Sequence, residues 1–137
     1  MKFWKSLFLY WVPLVVYMGI IFYFSSSTRP QALQETPDYV LHSMEYFGLG
    51  FLAARCFRFT FQGSRAALLF LASVLYCTLY GVSDEFHQSF VPERASSVAD
   101  MVFDMIGSTA GVAAMFLVHT RLENRDRYSS YLSRKPR

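Results

Sequence analysis

The chain has 137 residues and a formal net charge of +3, and its length predicts a single domain. Hydrophobic residues make up 53% of it and charged residues 17%, against about 45–50% and about 25% in soluble domains. This composition excludes a disordered chain, and a soluble domain of this size would be too small to bury so much apolar surface. A membrane protein is the class that remains.

Four apolar stretches are long enough to cross a bilayer, since about 20 helical residues span a hydrocarbon core of about 30 Å. They are residues 6–24, 39–57, 66–86 and 99–119. The first contains Pro13, which membrane helices tolerate, and is too long for the apolar core of a signal peptide. The sequence therefore predicts an all-α, polytopic membrane domain at residues 1–119, followed by a basic cytoplasmic tail at 120–137.

Basic residues predict the orientation of these spans, because Lys and Arg collect at the cytoplasmic ends. Eleven of the 13 lie on one side: Lys2, Lys5, Arg55, Arg58, Arg65, Arg121, Arg125, Arg127, Arg134, Lys135 and Arg137. Both termini are therefore expected in the cytoplasm, in a multi-pass protein of the cytoplasmic (inner) membrane. The basic residues flank apolar segments rather than alternating with aromatic ones, so no nucleic-acid partner is predicted.

Acidic residues gather on the opposite, envelope side. Eight of the 10 lie there: Glu35, Asp38, Glu45, Asp84, Glu85, Glu93, Asp100 and Asp104. Acidic residues have little influence on topology, so insertion does not explain their placement. A charge at the centre of a span costs about 2.5–3.5 kcal/mol, so the groups inside the spans should face one another or a water-filled cavity.

Helical spacing places these groups on shared faces, because residues three or four positions apart are neighbours on a helix. The groups with this spacing are His42 with Glu45, Asp84 with His87 and Gln88, and Asp100 with Asp104. Glu85 points about a hundred degrees away from Asp84, and Arg94 lies in the loop before the fourth span. We expect these side chains to surround one cavity that opens outward.

Three sequence blocks carry a family resemblance. Residues 38–50 match the pattern Asp-Lys-x-x-His-x-x-Glu-Tyr, with Tyr39 in place of the lysine; residues 80–94 match Asp-Glu-x-His-Gln-x-Phe-x-Pro-x-Arg; and residues 100–107 match Asp-x-x-x-Asn/Asp-x-x-Gly. With these blocks the chain resembles the VanZ-like family of small bacterial membrane proteins, over about residues 22–111. The resemblance implies a link to resistance against glycopeptide antibiotics, teicoplanin in particular, and assigns no reaction.

The polar cluster admits several interpretations. One is a structural network in which Arg94 pairs with Asp84 or Asp100. A second is a site for a divalent metal, since carboxylates with imidazole suit Mg²⁺, Mn²⁺ or Zn²⁺. A third is a pocket for headgroup binding or acid–base catalysis, in which His42 or His87 lies between the acids and Arg94 holds an anionic oxygen.

Two further alternatives are a serine nucleophile, Ser83 or Ser96 beside His87, and conduction of protons or ions through the acids. The prediction that we carry forward is recognition of an anionic, lipid-linked envelope component near the outer leaflet, with an effect on glycopeptide susceptibility. The alternative function is a membrane-embedded, metal- or acid/base-dependent enzyme acting on a lipid headgroup. Whether the protein is an enzyme stays open.

The residues of this predicted site have two roles. The chemically active residues are Glu45, Asp84 and His87. The binding residues are His42, Glu85, Gln88, Arg94, Asp100 and Asp104. No soluble cofactor is inferred, a divalent metal is left unassigned, and the predicted partners are the lipid bilayer and a lipid-linked envelope precursor.

Two features concern packing alone. Gly107 and Gly111 form a Gly-x-x-x-Gly pair, which predicts close approach of the fourth helix to a neighbour within the bundle. Cys56 and Cys77 lack the spacing of a metal site and are interpreted as apolar packing residues.

Overall fold

A computed structural model describes residues 2–27, 36–92, 94 and 96–134. These residues form four α-helices: α1 (Lys2–Ser25), α2 (Asp38–Thr60), α3 (Ala66–Gln88) and α4 (Val98–Arg134). The predicted all-α class is confirmed, and each predicted span lies within one helix. Residues 28–35 of the first predicted connection and residues 135–137 of the tail lie outside the described part.

Three of the helices are long and apolar enough to cross a membrane: Leu7–Ser25, Ala66–Gln88 and Val98–Tyr131. The outward face of α3 carries a continuous row of exposed large hydrophobic side chains: Leu68, Leu71, Leu75, Leu79, Val82 and Phe86. A contiguous apolar surface of this kind requires lipid or another protein to cover it. The chain is therefore a membrane protein built of helices.

The helix α2 is the polar exception. It has 23 residues, as many as α3, but His42, Glu45 and Arg55 lower its mean hydropathy. It contacts all three other helices, and α4 most extensively. The helix without an apolar stretch of spanning composition is therefore the one with the most protein around it.

The fourth helix extends beyond its predicted span. It has 37 residues, or about 55 Å at 1.5 Å per residue, and it continues past residue 119, where the predicted span ends. Residues 120–134 contain no glycine or proline and include four Arg and two Leu, which favour helix. Glu123 also lies 3.5 Å from Nδ1 of His119, one turn before it. The tail therefore begins as a helical extension.

Glycines bring α2 and α4 into backbone contact. A Cβ on Gly107 would overlap the carbonyl of Ser43, and one on Gly111 would overlap the carbonyl of Phe47. Gly50 of α2 meets the backbone of Ser108 in the same way. The predicted close packing of the glycine pair within the bundle is confirmed, with α2 as the neighbour.

The larger apolar cluster lies between α1, α2 and α3, and a second one joins α2, α3 and α4. Leu14, Tyr46, Leu49 and the two cysteines belong to one buried cluster, so the interpretation of both cysteines as packing residues is confirmed. The Nε1 of Trp11 donates to Oγ1 of Thr60 at 3.0 Å, which joins the start of α1 to the end of α2. After α2 the chain turns at Gly63, whose φ of 91° favours glycine.

Candidate functional site

One end of the bundle collects the predicted polar residues. There α1 and α3 end while α2 and α4 begin, because consecutive helices run in opposite directions. Five of the predicted residues are buried at this end: His42 at 7% exposure, Asp84 at 4%, Glu85 at 0%, Gln88 at 4% and Asp104 at 1%. Their carboxylate, imidazole and amide groups face the interior of the bundle instead of lipid.

A buried hydrogen bond links α2 to α4 within this cluster. Nδ1 of His42 donates to Oδ1 of Asp104 at 2.9 Å. His42 directly precedes Ser43, whose backbone meets Gly107, and Asp104 lies one turn before Gly107. The close glycine contact therefore brings the imidazole and the carboxylate within hydrogen-bonding distance.

Glu85 reaches the start of α4. Its Oε2 accepts a hydrogen bond from the backbone N–H of Ser97 at 2.9 Å, and its side chain is completely buried. One ligand atom each from His42, Glu85 and Asp100 lie within 4.8 Å of one another. The direction of Glu85, away from Asp84 on the helical wheel, is what brings it to Asp100.

Asp84 and Glu45 also belong to this polar end of the bundle. Nε2 of Gln88 donates to Oδ2 of Asp84 at 3.0 Å, as their spacing of four residues allows. Glu45 is half-buried and interacts electrostatically with His42, Asp84, Asp104 and Arg94. The structure thus brings acids from three helices together.

His87 and Arg94 turn toward α1. Nε2 of His87 lies 2.9 Å from Oγ of Ser26, and its ring stacks on Phe22 at 4.5 Å. The serine beside His87 is therefore neither Ser83, which donates to the carbonyl of Tyr80, nor Ser96. These contacts do not favour the alternative of a serine nucleophile at Ser83 or Ser96.

Arg94 caps the end of α1. Its Nη2 donates to the carbonyls of Phe24 at 2.7 Å and Ser27 at 3.0 Å, and its Nε donates to Ser27 at 3.2 Å. Carbonyls at the end of a helix lack intrahelical partners and favour a cation. In the described residues no ion pair joins Arg94 to Asp84 or Asp100, so that part of the structural-network interpretation was wrong.

Several buried polar atoms of the site have no hydrogen-bond partner among the described residues. They are Oδ1 of Asp84, Oε1 of Glu85, Oδ2 of Asp104, the hydroxyl of Tyr46 and Oγ of Ser25. Buried polar groups in native proteins are almost always hydrogen-bonded, and buried charges are paired or bind metals. The three carboxylate oxygens without a protein partner are therefore candidate contacts for an ion, water or a polar ligand.

A model of the VanZ/LLP1 family matches residues 8–119. The chain belongs to the VanZ/LLP1 family. The match contains every candidate site residue and extends the resemblance seen in the sequence into most of α1. No curated protein and no solved structure matches the chain.

Sequence reasoning did not assign two residues to this candidate site. Tyr46 is completely buried and interacts electrostatically with Asp104, Asp84 and Glu45. Ser26 is the partner of His87 across α1 and α3. Tyr46 directly follows Glu45 inside the first family block, and this position could have pointed to it. Nothing local pointed to the partner of Ser26, because only a tertiary contact between distant segments reveals it.

Proposed function

We propose that this VanZ/LLP1 protein crosses the cytoplasmic membrane four times, with both termini in the cytoplasm. The excess of basic residues at one end of the bundle supports this orientation. A helix of 23 residues is about 35 Å long, which is enough for α2 to span the hydrocarbon core. Its polar residues are tolerable there because protein surrounds them.

A reporter fused after Arg137 tests this topology. We expect activity from a reporter that works in the cytoplasm and none from one that works only outside it. A fusion in the connection between α1 and α2 is the control, and should give the opposite pattern. An extracytoplasmic signal after Arg137, or cleavage of the chain after residue 27, would contradict the topology.

We further propose that the polar end of the bundle recognises the anionic headgroup of a lipid-linked envelope component. The observation that carries this proposal is the position of Arg94, which lies at the end of α1 and interacts electrostatically with Glu45 of the polar cluster. Nη1 of Arg94 is the guanidinium nitrogen that the contacts with α1 do not use. A guanidinium binds phosphate or carboxylate oxygens through directed, charge-assisted hydrogen bonds.

Measuring membrane abundance and teicoplanin resistance together distinguishes headgroup recognition from a purely structural role of the polar cluster. The variants are Glu45→Gln, Asp84→Asn, His87→Ala and Arg94→Lys, expressed in a teicoplanin-susceptible host. We expect near-normal abundance and resistance reduced toward that of the host alone. Arg94→Lys is the sharpest of them because it keeps the charge and loses the planar fork; Arg125→Lys on the exposed part of α4 is the matched control.

Two results would go against headgroup recognition. Wild-type resistance in all four variants would exclude a functional site. A joint loss of abundance and resistance would favour a purely structural network, since breaking a buried pair costs about 3–5 kcal/mol.

A second candidate is an enzyme that acts on the headgroup by acid–base chemistry. The contact between His42 and the buried Asp104 favours it, because a carboxylate on one ring nitrogen orients an imidazole for proton transfer at the other. Mass spectrometry of envelope lipids from cells carrying Glu45→Gln or His87→Ala discriminates the two. Changed lipid structures support an enzyme, whereas unchanged structures with altered antibiotic access support a binding protein.

A further inference from the structure

We propose that His42, Glu85 and Asp100 together bind a divalent cation of the Mn²⁺, Mg²⁺ or Zn²⁺ class. This inference deepens the proposed function, because the cation would bridge the acidic site to the anionic headgroup. Carboxylates alone repel a phosphate oxygen, whereas a cation held by protein carboxylates attracts it. The three residues come from α2, α3 and α4, so the site exists only in the folded bundle.

The spacing of the donor atoms fits a single ion. One ligand atom from each of the three residues lies within 4.8 Å of the other two. Metal–ligand bonds of about 2.0–2.2 Å allow donor atoms on one ion to be up to about 4.4 Å apart. Small side-chain rotations therefore suffice for binding. Imidazole with two carboxylates suits these cations rather than a soft metal such as Cu⁺.

The hydrogen bond of His42 to Asp104 leaves the other ring nitrogen for a metal. Nδ1 of His42 donates to Oδ1 of Asp104, so the neutral ring carries its lone pair on Nε2. Metal-binding histidines commonly donate their other nitrogen to a carboxylate, which fixes the tautomer and the direction of the ring. Asp104 is therefore a positioning residue for this cation.

Glu85 supplies the second, independent observation. Its side chain is completely buried, and its Oε2 is held by the backbone N–H of Ser97. Its Oε1 has no hydrogen-bond partner among the described residues. A buried carboxylate oxygen in this state is stabilised by a cation. Asp100 is partly exposed, which gives the ion a route to solvent.

The test is Mn²⁺ binding to the full-length protein, purified in detergent and stripped with EDTA. Loss of the electron paramagnetic resonance signal of free Mn²⁺ measures the bound ion, and Mg²⁺ and Zn²⁺ are added as competitors. We expect one Mn²⁺ per chain. Loss of a partner that only orients a ligand typically weakens metal binding about 10–100-fold. We expect Asp104→Asn to weaken Mn²⁺ binding within this range. Glu85→Gln and Asp100→Asn each remove a carboxylate that would contact the ion, and we expect them to weaken Mn²⁺ binding at least as much.

Glu123→Gln is the matched control. Glu123 also lies beside a histidine, His119, in a partly exposed pair in the C-terminal part of α4, and its replacement should leave Mn²⁺ binding unchanged. Glu85→Gln keeps an oxygen for the N–H of Ser97, so the variant should remain folded by circular dichroism and gel filtration. If it does not, Asp100→Asn, at a partly exposed position, decides the question.

Two outcomes overturn the inference: no binding of any of the three cations by the wild-type chain, or equal Mn²⁺ affinity in wild type, Glu85→Gln and Asp100→Asn. Its failure is distinct from failure of the proposed function. If resistance depends on Arg94 but the protein does not bind Mn²⁺, only the cation site is rejected. If Mn²⁺ binds at His42, Glu85 and Asp100 but Arg94→Lys keeps full resistance, the cation site stands and headgroup recognition is rejected.

Discussion

Replacing Gly111 with alanine is expected to lower the free energy of unfolding by about 1–3 kcal/mol, the usual range for an overpacked interior. The new methyl group would overlap the carbonyl oxygen of Phe47 and lie 2.9 Å from the backbone nitrogen of Phe51. Both are backbone atoms of α2, so no side-chain rotation relieves the overlap. The two helices would have to separate, which loses contacts along the whole of their interface.

Reversible unfolding in mixed micelles measures the free energy of unfolding, and Gly19→Ala is the control variant. Gly19→Ala places a methyl group on α1 with no atom within 4 Å. It should be neutral or stabilising by up to about 1 kcal/mol, because alanine favours helix over glycine. Equal effects of the two substitutions would show that α2 and α4 do not touch at Gly111.

Breaking the contact between His42 and Asp104 is expected to cost about 3–5 kcal/mol, because it leaves a buried charge without its partner. His42→Leu is the clearest variant, since Asp104 is 1% exposed and its other oxygen already has no partner in the described structure. Unfolding should be measured in EDTA, so that a bound cation does not contribute.

The double variant His42→Leu/Asp104→Leu decides the cause of this loss. Replacing both members of a buried pair by apolar residues is often neutral or stabilising. We therefore expect the double variant to recover most of the stability lost in His42→Leu. A double variant as unstable as the sum of both single variants would mean that the two residues do not interact.

The contrast between His42 and Arg94 shows where sequence reasoning ended. Helical spacing put His42 and Asp104 near one depth in two spans, and the structure joins them by a hydrogen bond. Arg94 lies in a loop, where no periodicity indicates direction, and it bonds to the end of α1 instead of to the acids. Matching of opposite charges favoured an acidic partner for Arg94. It did not consider the backbone carbonyls at the end of a helix, which also accept hydrogen bonds from a cation.

Local composition determined much of this protein. The apolar stretches predicted all four helices, because an apolar run of about 20 residues has few other stable forms. The three motif blocks predicted the family that matches residues 8–119. The Gly-x-x-x-Gly pair predicted a close helix contact, since small residues allow backbones to approach. Each of these signals depends on residues that are near one another in the chain.

Only the tertiary structure decided which groups meet. It chose α2 as the partner of Gly107 and Gly111, and it paired His87 with Ser26, 61 positions away. It also brought Glu85 beside Asp100 and His42. Helical periodicity gives the face on which a side chain lies, but the neighbour of that face depends on how the helices pack, and that packing depends on contacts between residues far apart in the chain.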